Sequence, residues 1–328
     1  MSRQSSPLLP VEQVKSVGMV GTGSVGASWA ALFLAQGLSV YAYNPDPDAE
    51  RLARAFIQEA WPSVLALCEL PPETQVPGER LVFVDSLQRL AQVSDVLQEN
   101  APERPELKAQ ILAELDQHAP ASKIILSSTG GIQPSLMQQA CARPERLVVL
   151  HPFNPTHLVP LVEVVGGQQT SPEVVDWAME FARRVGKHPV RLKREAVGHM
   201  ANRLQFALLR ESVHCLIDGI ASAEDIDDAV RYGLAPRWTL LGGLLTLHLA
   251  GGAGGLKGIL DHAGDAIEGW WNDLGSPVMD EQTRAKLVQT TEEIARHRPV
   301  EDWIRWRDEN LPTLLKLQRQ MTAPLGED

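Results

Sequence analysis

His151, Asn154 and Glu163, in the stretch HPFNPTHLVPLVEV, have the types and spacing for proton transfer. A histidine titrates near neutral pH, and a carboxylate within reach orients the ring and supports its charged form. Upstream stands a glycine-rich loop, GTGSVG, with Gly21, Gly23 and Gly26. Beside a dinucleotide, such a histidine can take the proton of an alcohol while hydride leaves the carbon. The stretch alone is equally compatible with a turn histidine before proline and a strand glutamate. The first sixty residues shift the balance toward redox chemistry.

The loop follows an apolar strand, Ser16 to Val20, and opens a small-residue helix from about Val25 to Gln36. Gly37 caps that helix, and SVYAY (Ser39 to Tyr43) reads as a second parallel strand. Gly21 permits the tight turn, Gly23 lets the backbone approach phosphate, and Gly26 lets helix and strand pack closely. Amides at Ser24 and Val25, with the helix dipole, favour a pyrophosphate; the alternative is a glycine turn without ligand. At the end of the second strand, Asn44 stands where an acidic residue usually accepts both ribose hydroxyls. It can bond a hydroxyl but repels no 2′-phosphate. With Asp46 and Asp48 close by and no basic residue before Arg51, NAD is favoured over NADP.

Further strands are expected at Leu81–Ser86, Asp95–Asn100, Lys123–Ser128, Arg146–Pro152, Pro160–Gly166 and His188–Leu192, with a helix from Ser171. Strands alternating with helices describe an α/β fold with a doubly wound, Rossmann-type sheet over residues 1–193. From 194 to 328 the apolar residues recur only at helical spacing, so the second domain is expected to be all helical. Its helices include Asp225–Tyr232, a buried one at Leu240–Leu249, and a long charged C-terminal helix interrupted near Pro312. The glycines around Gly242 and at Gly251–Gly255 are expected to permit tight helix contacts.

A length of 328 residues with 44% hydrophobic content suits two domains. A net charge of -11 and a pI near 5.3 argue against nucleic acid or an anionic membrane as partner. Neither a secretory core nor a membrane span is evident, so a cytoplasmic protein is expected. Cys68, Cys141 and Cys215 have no metal-like spacing; they read as reduced, mostly buried thiols, and no metal is expected.

Taken in order, GTGSVGASWA, QENAPERPELK, SSTGG, HPFNP, PLVEVVGG and VGHMANRL resemble the 3-hydroxyacyl-CoA dehydrogenase family across nearly the whole chain. APERPELK, GLAPRWTLLG, HLAGG and WRDENLPTLLKLQRQM are most similar to its branch acting on small free hydroxy acids, which includes L-carnitine dehydrogenase and the L-gulonate 3-dehydrogenase and lambda-crystallin group. The resemblance implies a Rossmann domain that binds NAD and a helical domain that forms a homodimer. It makes His151 the general base, Glu163 its orienting carboxylate, and Asn202 a donor to the substrate oxygen. It sets Asn154 on the nicotinamide side, and Glu99 and Arg104 near the nicotinamide ribose. Read without it, Asn202 is a solvated helix residue, and Glu99 and Arg104 are surface charges. The chain departs from the family at Gly130, where a serine would contact the reacting oxygen. Either Ser128 or Thr129 replaces that hydroxyl, or the site is widened for another substrate; losing one donor costs on the order of a hundredfold in rate.

Acyl-CoA enzymes of the family carry basic residues on the helix pair after the second strand, whereas Ala55 to Glu79 contains no lysine or arginine. A compact free acid is therefore expected, with Arg237 gripping its carboxylate; a helix-terminal surface arginine is the alternative. A trimethylammonium group would want aromatic faces, which Trp238, Trp270 and Trp271 could provide, although core or interface packing accounts for most tryptophans. The expected activity is NAD-dependent oxidation of an L-3-hydroxy acid, carnitine first, with gulonate or 3-hydroxybutyrate next and a hydroxyacyl-CoA last. Two rivals are a weakly active, crystallin-like NAD-binding protein, motivated by Gly130, and an imine reductase using the same site.

Overall fold

Val17, Met19 and Val20 offer water no polar side chain, and the strand they form, β1 (Ser16–Val20), is buried along its whole length inside a sheet. A computed structural model describes residues 7–322, so the first residues of the N-terminal leader lie outside the described part. The chain divides between Arg203 and Leu204 into two units.

In the first unit, β1 is joined by β2 (Ser39–Tyr43), β3 (Leu81–Phe83), β4 (Val96–Glu99), β5 (Ile125–Ser127), β6 (Leu147–Pro152), β7 (Leu161–Gly166) and β8 (His188–Arg191). Their order is β3-β2-β1-β4-β5-β6-β7-β8, with every pair parallel except β6 and β7. The connection Phe153–Pro160 between those two has no room for a crossover helix, so β7 returns antiparallel. The expected strand at Leu81–Ser86 stops at Phe83, because Ser86 accepts the amide of Arg89 and caps the next helix.

Helices α1 (Ser24–Ala35), α2 (Ala49–Cys68), α3 (Leu87–Val93), α4 (Pro105–His118), α5 (Pro134–Gln138) and α6 (Pro172–Arg184) cover the sheet. Alternate side chains divide the core. Val17, Met19, Val40, Leu126 and Val148 pack with Trp29, Phe33 and Phe181, whereas Val20, Leu97, Ile125, Leu147 and Val149 pack with Leu90, Leu112 and Leu115. Glu99, Ser127, His151 and Glu163 continue the second set in strand parity at its C-terminal edge. One face thus runs from apolar core into chemistry.

The strand that carries His151 is anchored by a buried ion pair at its start. Arg146, just ahead of β6, meets Asp116 of α4 at 2.7 Å, and both side chains are 2% exposed. The same guanidinium also donates to the carbonyls of Pro120 and Lys123 ahead of β5, while Asp116 accepts the amides of Ala142 and Arg143. Together these bonds lock α4, β5 and β6 in register.

The second unit is helical: α7 (Ala201–Ile217, beginning in the first unit), α8 (Ala223–Asp228), α9 (Ala235–Ala250), α10 (Gly255–Asp273), α11 (Glu281–Ile294) and α12 (Val300–Thr322). A π-helical stretch, Ala229–Leu234, joins α8 to α9. Three expectations need correction here. Pro312 lies within an unbroken α12, not at an interruption. Leu240–Leu249 is not buried in the single chain: Leu244 is 77% exposed and Leu249 58%. The three cysteines are half-buried instead of mostly buried, since each sits on or beside a helix that faces partly outward. Among the described residues, no single helix is long and apolar enough to cross a membrane.

Asp116→Ala is expected to strip a buried guanidinium of its partner and destabilise the first unit by about 3–5 kcal/mol. Chemical unfolding of both proteins measures this; a loss below about 1 kcal/mol would show that the pair does not anchor β6.

Candidate active site

The glycine loop sits between β1 and α1. Gly21 has a left-handed φ of 80°, its amide donates to the Tyr43 carbonyl at 2.9 Å, and a Cβ there would lie 2.8 Å from the Asn100 carbonyl oxygen. A Cβ at Gly26 would run into the carbonyl of Gly21. Gly23 has open space where a side chain would stand, and it caps α1 without any side chain closing the helix end. Ser24 and Val25 form the half-open first turn, which holds no acidic residue. These free amides and the open cradle fit the pyrophosphate of a dinucleotide. Asn44 braces this end: its Nδ2 donates to Thr22 Oγ1 at 3.1 Å, and its Oδ1 accepts the Asp46 amide.

The antiparallel register puts His151 directly opposite Glu163. Their side chains meet, Nδ1 to Oε2, at 2.9 Å, with Glu163 fully buried. The other carboxylate oxygen accepts the amides of Met200 and Ala201, at 2.9 and 2.8 Å, as the chain enters α7. Burial opposes the charge on Glu163, but His151 and these two amides outweigh it and hold the carboxyl below its ordinary range. An ionised Oε2 can only accept, so Nδ1 carries a proton, and in the neutral ring this tautomer leaves Nε2 its lone pair. That lone pair faces Gly130, where a Cβ would lie 3.3 Å from Nε2 and 3.6 Å from Nδ2 of Asn202. Asn202 Nδ2 donates to the Gly130 carbonyl at 2.9 Å and keeps a second hydrogen. His151, Glu163, Asn202 and Gly130 therefore come together, and Asn154 lies exposed at the turn just after His151.

Several residues stand elsewhere than their sequence positions suggested. Glu99 is fully buried, paired with Lys108 at 2.8 Å, and accepts the Ala101 amide and the Ser127 hydroxyl, so it is no surface charge. Arg104 is exposed at the start of α4. Ser128 is already engaged, since its Oγ accepts from Trp29 Nε1 and Gln98 Nε2 and donates to Asn100 Oδ1. Thr129 donates to Glu103 at 2.5 Å and accepts the Ile132 amide. Neither hydroxyl is free to replace the one absent at Gly130. Arg237 and Trp238 belong to the second unit, where Arg237 is exposed with its Nε on the Gly233 carbonyl and Trp238 is 40% exposed.

Two contributors were not singled out from the sequence. Glu103 accepts the amides of Gly130 and Gly131, at 3.0 and 3.1 Å, and so fixes the loop facing His151. It lies within the QENAPERPELK motif, but its spacing gives no hint of that loop. His199 is buried with its ring centroid 5.3 Å from that of His151. Its burial, then the neighbouring His151, lower its pKa below the ordinary histidine value.

Known proteins resemble this chain over most of its length. The 3-hydroxyacyl-CoA dehydrogenase NAD binding domain matches residues 16–196, and the C-terminal domain of the same family matches residues 198–289. An L-carnitine dehydrogenase of Nocardiopsis dassonvillei is 42% identical over 300 residues, which cover 92% of this chain and 90% of that protein. Another, from Bacillus cereus, is 40% identical over 304 residues, covering 93% and 92%. Among solved structures, 5-formyl-3-hydroxy-2-methylpyridine 4-carboxylic acid 5-dehydrogenase, an NAD+-dependent dismutase, superposes with a TM-score of 0.77 at 26% identity, over 94% of this chain and 99% of that one.

Because the folded carboxyl of Glu163 titrates below its ordinary value of 4.5, its stabilising contribution is present above that value and is lost as pH falls through the lower folded one. Glu163→Gln should therefore be less stable than the wild type at neutral pH, with the gap narrowing in acid. Unfolding midpoints measured from neutral to acidic pH check this; a gap constant with pH would sink the assignment of charge.

Proposed function

The chain belongs to the 3-hydroxyacyl-CoA dehydrogenase family and is an NAD-dependent dehydrogenase, and from that premise we propose that it oxidises a small free L-3-hydroxy acid, L-carnitine first, to the 3-keto acid. The observation that carries the reading is the lone pair of His151 Nε2, freed by the bond of Nδ1 to Glu163 and facing Gly130 and Asn202. NAD, when bound, supplies the hydride acceptor. The residues of the chain do the rest. His151 takes the hydroxyl proton at Nε2, and Glu163 stabilises the imidazolium that results. Asn202 uses its second Nδ2 hydrogen on the substrate oxygen as negative charge develops there. Gly21, Gly23, Ser24, Val25 and Gly26 hold the pyrophosphate by backbone, Asn44 meets the adenosine ribose, and Asn154 and Arg104 stand toward the nicotinamide side.

Two features support a free acid of the carnitine type. Ala55 to Glu79 offers no basic residue to the phosphates of CoA, and the relatives at 40–42% identity are L-carnitine dehydrogenases. In this reading residues 1–193 are the cofactor domain, and residues 194–328 are a substrate and dimerisation domain of a cytoplasmic homodimer. Arg237 would grip the carboxylate, and Trp238 would offer its face to the trimethylammonium group, which can donate no hydrogen bond. The exposed apolar residues of the second unit, such as Trp270 and Trp271, support the dimer.

NADH formation with L-carnitine, D-carnitine, L-gulonate, L-3-hydroxybutyrate and 3-hydroxybutyryl-CoA tests the substrate. Selective turnover of L-carnitine is expected, and faster turnover of 3-hydroxybutyryl-CoA would overturn the free-acid reading. His151→Ala should lower kcat by roughly 10²- to 10⁴-fold while NAD affinity, measured by calorimetry, stays near the wild-type value. Arg237→Lys is expected to raise KM for the acid about tenfold or more, because an ammonium cannot make two parallel bonds; an unchanged KM would remove Arg237 from the site.

A further inference from the structure

His199 combines two unfavourable features at one position. Its backbone is left-handed, with a φ of 49°, which side chains with a Cβ rarely adopt. Its ring is fully buried, yet Nδ1 meets no hydrogen-bond partner among the described residues. Such costs persist at a residue only where the surrounding structure over-determines it, and they gather at functional sites.

The bond that the ring does make indicates the benefit. Nε2 lies 3.1 Å from the carbonyl oxygen of Thr129, which can only accept, so Nε2 carries a proton, and burial, which lowers the pKa of the ring, favours the neutral form with Nδ1 bare. Three residues on, Asn202 holds the next carbonyl, that of Gly130. Between them, the Met200 and Ala201 amides hold Glu163. One short segment therefore grips both sides of the site, the carboxylate behind His151 and the loop in front of it. Gly130 has no side chain with which to hold its own place, so backbone bonds alone set its distance from Nε2 of His151.

We propose that His199 is a positioning residue: its Nε2–H bond to the Thr129 carbonyl fixes Gly130 opposite His151 and so sets the gap that receives the hydroxyl of the substrate. The inference rests on the reading of His151 as the base. The ring of His199 faces His151, Glu163 and Glu103. A second proton on this ring would go to Nδ1 and leave the Nε2–H bond to Thr129 in place, so the bond persists whether or not His151 gains charge during turnover.

The test uses His199→Gln, His199→Asn and His199→Phe in the full-length enzyme, assayed with NAD and L-carnitine or whichever acid of the panel is turned over fastest. Glutamine can place its amide donor near the position of Nε2, whereas asparagine reaches only that of Nδ1. The Phe and Asn variants should lose roughly tenfold or more in kcat, with KM for NAD within about twofold of the wild type, and Gln should return to within about threefold of the wild-type kcat. A Gln variant no faster than Asn, a Phe variant with unchanged kcat, or a parallel loss of NAD affinity in all three would overturn the proposal. Full turnover by His151→Ala would instead bring down the reading of the base, and so separates the two failures. Should the Phe variant not fold, the Gln and Asn pair decides alone.

Discussion

A carboxylate buried without water must find donors within the protein, and Glu163 finds three: the ring of His151 and the amides of Met200 and Ala201. Each donor comes from a different demand of the fold. His151 is there because β6 and β7 run antiparallel in a register that sets residue 151 against residue 163. The amides are there because α7 begins at Ala201, and the first N–H groups of a helix have no partner within it. The charge of Glu163 thus joins two strands and a helix start, and at the same time selects the ring tautomer that leaves Nε2 bare. Structure and chemistry depend on the same ionised group.

Two further buried ion pairs brace opposite edges of the sheet. Glu99 with Lys108 ties the end of β4 to α4, and Asp116 with Arg146 ties α4 to the start of β6. Replacing such pairs with well-packed apolar residues is often neutral or stabilising in proteins generally, so their value here lies in geometry more than in net stability. The first fixes where β4 ends and the second where β5 and β6 begin, and the loops beyond β4 and β5 carry Glu103, Thr129 and Gly130. The glycine at 130 shifts the work of holding the loop onto the carboxylate of Glu103, the amide of Asn202 and the ring of His199.

Local patterning sufficed wherever one element carries the information. Continuous apolar runs marked buried parallel strands, the three glycines after β1 marked the phosphate loop, and HPFNP with the following PLVEV marked the pair of His151 and Glu163. The end of strand-like runs marked the start of the helical unit. Motif likeness supplied NAD and the family, both of which the comparisons support. Pro312 misled because a proline costs a helix only one bond and one clash, which the neighbouring residues of α12 absorb. The leucines of Leu240–Leu249 misled because an apolar run reads the same whether its own chain or something outside covers it.

The sequence by itself determined the element types, the glycine loop after β1 and the pairing of His151 with Glu163, since these depend on residue type and near-neighbour spacing. Only the tertiary structure decided which groups are free to act. It withdrew Glu99 into an ion pair, committed the hydroxyls of Ser128 and Thr129 to other partners, and brought Glu103 and His199 to a loop more than twenty residues away in sequence. Such pairings follow from strand order and parity across the sheet, which no local window of sequence contains.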